Sequence, residues 1–209
     1  MSLESDPVAR LESRGQRFRL LDDPVAIRAL AHPLRLDLLA ITGRAGQITT
    51  ADAARELGIS HGLASHHLRQ LAKYGFVEQV AGKDNRERPW RLTYTSTSWR
   101  GADATPEGAE AAAVFEEVLA ERAMAGLRHW LRRRADWPPG WREHSGVSQS
   151  TVYLTLPELA ELDASIEALI KRYADERPLD DVASRPAGSV PVDIYQIVTV
   201  PLDQPPEGA

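Results

Sequence analysis

Between residues 60 and 73 the chain sets out a row of small and basic hydrogen-bonding positions: Ser60, His61, Gly62, Ser65, His66, Arg69 and Lys73. Hydroxyl and imidazole groups donate to phosphate or to base edges, and an arginine reads guanine or holds a phosphate. Gly62, with no side chain, allows close approach of the backbone to a groove. Lys73, at the end of the row, suits a phosphate. A second basic group, Lys83, Asn85, Arg86 and Arg88, follows and suits a minor groove or a nucleic-acid backbone. This is the chemistry of recognition rather than of bond making.

Those side chains need a scaffold, and the flanking residues supply one. Ala53, Ala54 and Leu57 mark the apolar face of a helix over residues 51–57 with Thr50 as its N-cap; Gly58 turns the chain, Ile59 plugs the core, and Ser60 caps a second helix. Leu63, Ala64, Leu68 and Leu71 recur along that second helix at helical spacing. Two short helices joined by a glycine turn form a helix-turn-helix, whose second helix enters the DNA major groove. Tyr74-Gly75 ends the helix, residues 76–80 and 88–95 read as strands, and the polar residues 81–87 turn between them. A helix-turn-helix followed by a basic hairpin is a winged helix. Upstream, Asp23-Pro24 starts a helix carrying Ile27, Leu30, Leu34, Leu38 and Ile41, which Pro33 kinks or divides. Ile48 suits a short strand beside the wing, and residues 4–22 a polar helix or arm.

Three stretches resemble the ArsR-type winged-helix transcriptional regulators of bacteria: Ile27 to Leu36 (IRALAHPLRL), Ser65 to Leu71 (SHHLRQL) and Tyr74 to Val77 (YGFV). Together they span roughly residues 24–95. The resemblance implies a DNA-reading role for Ser65, His66 and Arg69 by motif position, and an inward, packed role for His67. It also implies that the long helix following the wing supports dimerisation. The family's metal-sensing cysteines are absent, which places the chain in a subgroup without metal control.

Composition bounds the rest. The 209 residues are 43% hydrophobic, enough for a buried core, and include no cysteine, so disulfides, thiolate metal sites and cysteine nucleophiles are excluded. No apolar run is long enough to cross a membrane and the N-terminal residues are charged, so the expected location is cytoplasmic. The net charge of −5 is unevenly shared. Residues 1–100 carry 15 Lys and Arg against 11 Asp and Glu, whereas residues 101–209 carry 10 against 19. Phosphate binding needs a locally positive surface, and the basic excess lies with the helix-turn-helix.

The expected class is therefore mainly α with small β (α+β). Residues 1–100 form the winged helix-turn-helix DNA-binding domain, and residues 101–209 a dimerisation and effector domain. In the latter, a helix over 106–134 carries Val114, Val118, Leu127, Trp130 and Leu131. Residues 136–146 are irregular because of Pro138-Pro139-Gly140. A strand–helix–strand unit over 150–200 follows: strand 150–156, a helix opened by a Thr155–Glu158 capping box, and strand 192–200. Trp130, Trp137 and Trp141 crowd together, either as a core or interface cluster or as a pocket for a small effector. His66 and His67 are adjacent and point apart on a helix, so they cannot share a metal; His129 and His144 flank the irregular segment with Glu143 and Asp136, where the alternative to a metal site is a pair of lone histidines, and no metal site and no cofactor are expected.

The reading that follows is a homodimeric transcription regulator, a repressor, that binds double-stranded DNA at a partly palindromic operator under a small-molecule effector and has no membrane partner. The alternative is a winged-helix protein-interaction module without sequence-specific DNA binding, which the basic helix and wing oppose. The sequence contains no phosphate loop, nucleophile elbow, zinc motif or convincing carboxylate pair, so no enzyme is expected.

Overall fold

Pro33 divides what its apolar spacing presents as one helix. A proline lacks the N–H needed in a helix interior but fits the first turn. Accordingly, the computed structural model, which describes residues 17–82, 88–99 and 104–200, has one helix before Pro33 and another beginning at it. The elements are β1 (Phe18–Leu20), α1 (Pro24–Leu30), α2 (Pro33–Ala45), β2 (Gln47–Ile48), α3 (Thr50–Leu57), α4 (His61–Lys73), β3 (Val77–Gln79), β4 (Trp90–Leu92) and β5 (Ser96–Ser98). Three helices follow: α5 (Pro106–Arg133), α6 (Pro139–Glu143) and α7 (Leu156–Glu176). The class is mainly α with small sheets, as the sequence leads one to expect.

Helices α3 and α4 are fixed by their caps. The Thr49 hydroxyl accepts from the Asp52 N–H at 3.1 Å, one residue earlier than the Thr50 cap expected from the sequence. Gly58 turns the chain in the left-handed region (φ 65°, ψ 33°), where a side chain is strained. Ser60 then caps α4, its hydroxyl accepting from the Leu63 N–H at 3.2 Å. Ala64, His67, Leu68 and Leu71 face inward from α4. Leu63 does not: it is 42% exposed, at the edge of the buried stripe. Ile59 is half-buried rather than a full plug.

The sheet beside these helices is antiparallel with order β2-β4-β3, pairing Ile48 with Trp90 and Val77 with Leu92. Ile48 thus forms the short strand expected beside the wing. The Trp90 indole N–H donates to the Thr50 hydroxyl at 2.9 Å, tying the wing's base to the start of α3. A second sheet has no signature in the sequence: β1 runs parallel to β5, with Phe18 opposite Ser96 and Leu20 opposite Ser98. Its Arg19 stacks on Phe76 and Tyr94, 4.8 and 5.4 Å from the ring centres, and donates to the Tyr74 carbonyl. The core joins Leu21, Ile27, Leu30, Leu38, Ile41, Leu68, Leu71, Phe76 and Trp90 with Ala111 and Phe115 of α5. Helix α5 is therefore packed on the winged helix at its N-terminal half, with Trp99 edge-on to Phe115 at 4.8 Å and Arg122 paired to Asp37 of α2.

Beyond α5 two expectations are corrected. Pro138-Pro139-Gly140 does not prevent helix, because Pro139 occupies the first position of α6. The strand–helix–strand unit over 150–200 is reduced to its helix α7, which the Thr155–Glu158 contacts open at 2.7 Å. Residues 150–155 and 192–200 pair with no described residue, because β-branched sequence makes a stretch extended but a strand also needs a hydrogen-bonded neighbour. The segment after α7 returns to the winged helix: Asp180 pairs with Arg17, which also donates to the Leu92 carbonyl at 2.8 Å. Leu179 lies over Gly43 of α2, where an added Cβ would meet its Cγ at 2.8 Å.

The two faces of α4 separate cleanly by mutation. Leu68→Ala, at a fully buried position, should cost about 2–5 kcal/mol in urea unfolding. Leu63→Ala, on the solvent side, should stay within about 0.5 kcal/mol. Equal losses at the two sites would contradict this orientation of the helix.

Candidate nucleic-acid interface

With Ala64, His67, Leu68 and Leu71 buried, the rest of α4 is turned to solvent. His61, Gly62, His66, Arg69 and Lys73 are exposed, Ser65 is half-buried, and Ser60 is exposed at the cap. Gly62, Ser65, His66, Arg69 and Lys73 recur at three- and four-residue steps, so they share one strip of the helix. Around Gly62 the space is open, with no heavy atom within 4 Å of where a Cβ would lie. Arg88, beside the wing, is exposed, and Lys83 and Arg86 lie outside the described residues. Lys73 also sits 5.3 Å from the ring centre of Tyr74.

The electrostatics around this strip favour an anion. Helix α4 carries His61, His66, Arg69 and Lys73 and no carboxylate. The carboxylates on neighbouring elements are matched by arginines: Asp52 by Arg55, Glu56 by Arg44 at 3.7 Å, and Glu78 by Arg91 at 2.6 Å. Asp52 is held below the usual carboxylate range by hydrogen bonds from Thr49 and Arg55. Arg69 has no ion-pair partner among the described residues. Helical spacing puts Leu63 in the core, but its exposure sets an apolar side chain beside the strip, suited to a thymine methyl. Its place in the first turn of the helix, next to the open Gly62, was the available signal.

Beneath the strip lies a histidine cluster. His67 is buried, with its ring 4.5 Å from His32, the N-cap of α2, and 5.1 Å from His66. His32 Nδ1 accepts from the Leu34 N–H at 3.2 Å. Burial is the main cause that lowers the pKa of both imidazoles below 6.5, and the positive Arg35 lowers both further; His32 and His66 add to the effect on His67.

Far from the strip, Trp130, Trp137 and Trp141 do come together. Their ring centres are 5.5 Å apart for Trp130–Trp137 and 6.1 Å for Trp137–Trp141, each pair edge to face. The Trp130 indole N–H and Arg142 Nε are buried without a hydrogen-bond partner among the described residues. Among the described residues no group of three or more His, Asp or Glu is arranged to hold a metal ion, and no helix is long and apolar enough to cross a membrane.

Comparison with known proteins agrees on the helix-turn-helix. Residues 30–80 match a family model described as a helix-turn-helix domain. No curated protein matches the chain. One similar solved structure is the homodimeric winged helix-turn-helix DNA-binding domain of Mb0332 from Mycobacterium bovis, a possible ArsR-family transcriptional regulator. It is 21% identical over 59% of this chain and 91% of its own, with a TM-score of 0.31. The heme sensor PefR from Streptococcus agalactiae is 20% identical over 80% of this chain and 88% of its own, with a TM-score of 0.30. MarR from E. coli is 18% identical over 80% of this chain and 99% of its own, with a TM-score of 0.29.

The histidine cluster makes stability depend on pH. Both imidazoles have folded pKa values below the unfolded 6.5, so the unfolded chain binds more protons near that pH. Their neutral burial is fully tolerated above about pH 6.5 and becomes destabilising as pH falls below it and toward the folded values. Urea unfolding should show stability falling between about pH 7 and about pH 5, with a shallower fall in His67→Leu. An identical pH slope in the variant would remove His67 from this role.

Proposed function

We propose that the protein is a DNA-binding transcription regulator of the ArsR type, a repressor, acting as a homodimer on a partly palindromic operator. The observation that carries the reading is the exposed, carboxylate-free strip of α4, open around Gly62 and opposite a fully packed face. In this reading α4 lies in the major groove. Ser60 and His61 meet the backbone at its start, Gly62 lets the main chain approach, and Ser65, His66 and Arg69 reach base edges. Leu63 packs on a thymine methyl, and Lys73 takes a phosphate. Arg88, with Lys83 and Arg86 of the wing, follows the DNA backbone or minor groove. Two copies related by a two-fold axis place two such helices on half-sites about one helical turn, or a multiple, apart.

The same reading gives the C-terminal half the signal. The tryptophan trio, with an indole N–H lacking a partner, is the candidate pocket for a small effector. A ligand there acts on DNA affinity only if it binds the operator-competent and incompetent states unequally. Helix α5 links the two places directly, since Phe115 packs in the winged-helix core and Trp130 lies near its far end.

Fluorescence anisotropy with an operator duplex tests the strip. Arg69→Ala should weaken specific binding by about 1–3 kcal/mol if the guanidinium reads a base, while leaving non-specific binding nearly unchanged. Unaltered operator affinity would remove Arg69 from base reading. Gly62→Ala meets nothing within 4 Å and replaces a glycine within a helix. It should therefore stabilise the fold by about 0.5–1 kcal/mol yet lose DNA affinity. A variant both more stable and equally tight on DNA would contradict the close approach of α4.

A further inference from the structure

Helix α7 is long, 21 residues, and has no buried residue. Its apolar stripe is open, with Leu169 58% exposed. Before and after it in the chain come the two stretches that have strand composition and no strand partner among the described residues. Tyr153 is fully exposed and Leu156 79% exposed, and beyond α7 Ile194, Ile197 and Val200 are 63, 66 and 64% exposed. Helices in proteins owe most of their stability to packing of an apolar face, and monomers rarely leave apolar patches beyond a few hundred Å² open. These six residues alone present on the order of 700–800 Å², which is what one partner contributes to a standard interface of about 1,600 Å².

We propose that this face is an assembly surface of the homodimer, in addition to the one the resemblance implies for α5: the stretches 150–155 and 192–200 of one protomer form strands with those of a second copy, and the resulting sheet covers α7. The inference deepens the dimer reading above and rests on it. Three observations select a second copy as the occupant. First, both stretches adjoin the C-terminal helices. Residues 150–155 lead directly into α7, Gln196 donates to Asp163 of α7 at 3.3 Å, and Tyr195 lies against Arg122 of α5. Yet the stretches form no ladder with any described residue of the protomer, which leaves their backbone groups available to a second strand. Second, both are apolar, rich in β-branched residues and nearly free of charge, with Asp193 the single charged residue in them. That makes the patch self-complementary, as an interface about a two-fold axis must be. Third, the surrounding half is acidic, with 10 Lys and Arg against 19 Asp and Glu over residues 101–209. It repels anionic lipid and nucleic acid and so disfavours them as occupants of this face.

Sedimentation velocity of the full chain over a concentration series is the test. The wild type should run at twice 23.1 kDa, and the double variant Tyr153→Asp, Ile194→Asp at 23.1 kDa, with dimerisation weakened at least tenfold. Both positions are exposed in the protomer, so the charges cost its fold nothing unless the face is paired. A dimer equally tight in the variant would overturn this surface and leave the dimer reading standing. A wild type monomeric at all concentrations would overturn both, and would leave the face to a different protein. As an independent readout, Tyr153→Cys introduces a single thiol into a chain without cysteine. Its alkylation should be slow in the dimer and speed up on dilution; alkylation as fast as in a free peptide, in a protein sedimenting as a dimer, would also overturn the proposal.

Discussion

The burial of one face of α4 is the constraint on which everything else in the winged helix depends. Leu68 and Leu71 are fully enclosed, meeting α1, α2 and the base of the wing in a single core. Because a helix repeats every 3.6 residues, locking that stripe inward fixes the direction of every other side chain on α4. Burying two leucines gains roughly 3–6 kcal/mol relative to leaving them exposed, far more than any one surface contact can supply. The polar strip is thus held rigidly by apolar packing behind it and not by contacts among its own residues. In the proposed role, such rigidity lets α4 meet base edges without first ordering itself.

The supporting contacts act on the same geometry. Thr49 caps the start of α3, Gly58 and Ser60 form the turn into α4, Trp90 ties the wing to α3, and Arg19 closes the wing's base on Phe76 and Tyr94. His67 is the exception in an otherwise apolar face. Its burial places a titratable group between the strip and α2, so the packing that orients α4 is sensitive to protonation. The C-terminal half reaches this assembly through two segments: α5, by Phe115 and the Arg122–Asp37 pair, and the stretch after α7, by the Asp180–Arg17 pair and Leu179 over Gly43. A change in how that half is arranged therefore bears on the winged helix from two sides.

The fold is legible in the sequence where structure is local. Gly58 and Ser60 announce the turn between α3 and α4 because positive φ and N-capping are properties of single residues. Tyr74-Gly75 marks the end of α4 for the same reason, with Gly75 at φ 73°. The β3–β4 hairpin follows from alternation around Trp90 and Leu92. Legibility ends where partners are distant. The parallel pairing of β1 with β5 joins three-residue strands almost 80 positions apart and carries no periodicity of its own. Leu63 is misplaced by spacing because Ala64, Leu68 and Leu71 already complete the stripe, and periodicity alone does not exclude a neighbour at its edge. The stretches 150–155 and 192–200 show the limit most plainly: composition marks a strand, but a ladder needs a second strand's backbone beside the first.

The proposed role of α4 is to read sequence. Selection from a pool of random duplexes, with competitor DNA and at about 0.15 M salt, tests it without choosing an operator beforehand. A sequence-reading α4 in a two-fold dimer should enrich one motif with two related half-sites whose centres lie about 10 base pairs, or a multiple, apart. A pool that stays random through successive rounds, with retention that vanishes as salt rises, would mean only phosphate attraction and would contradict it.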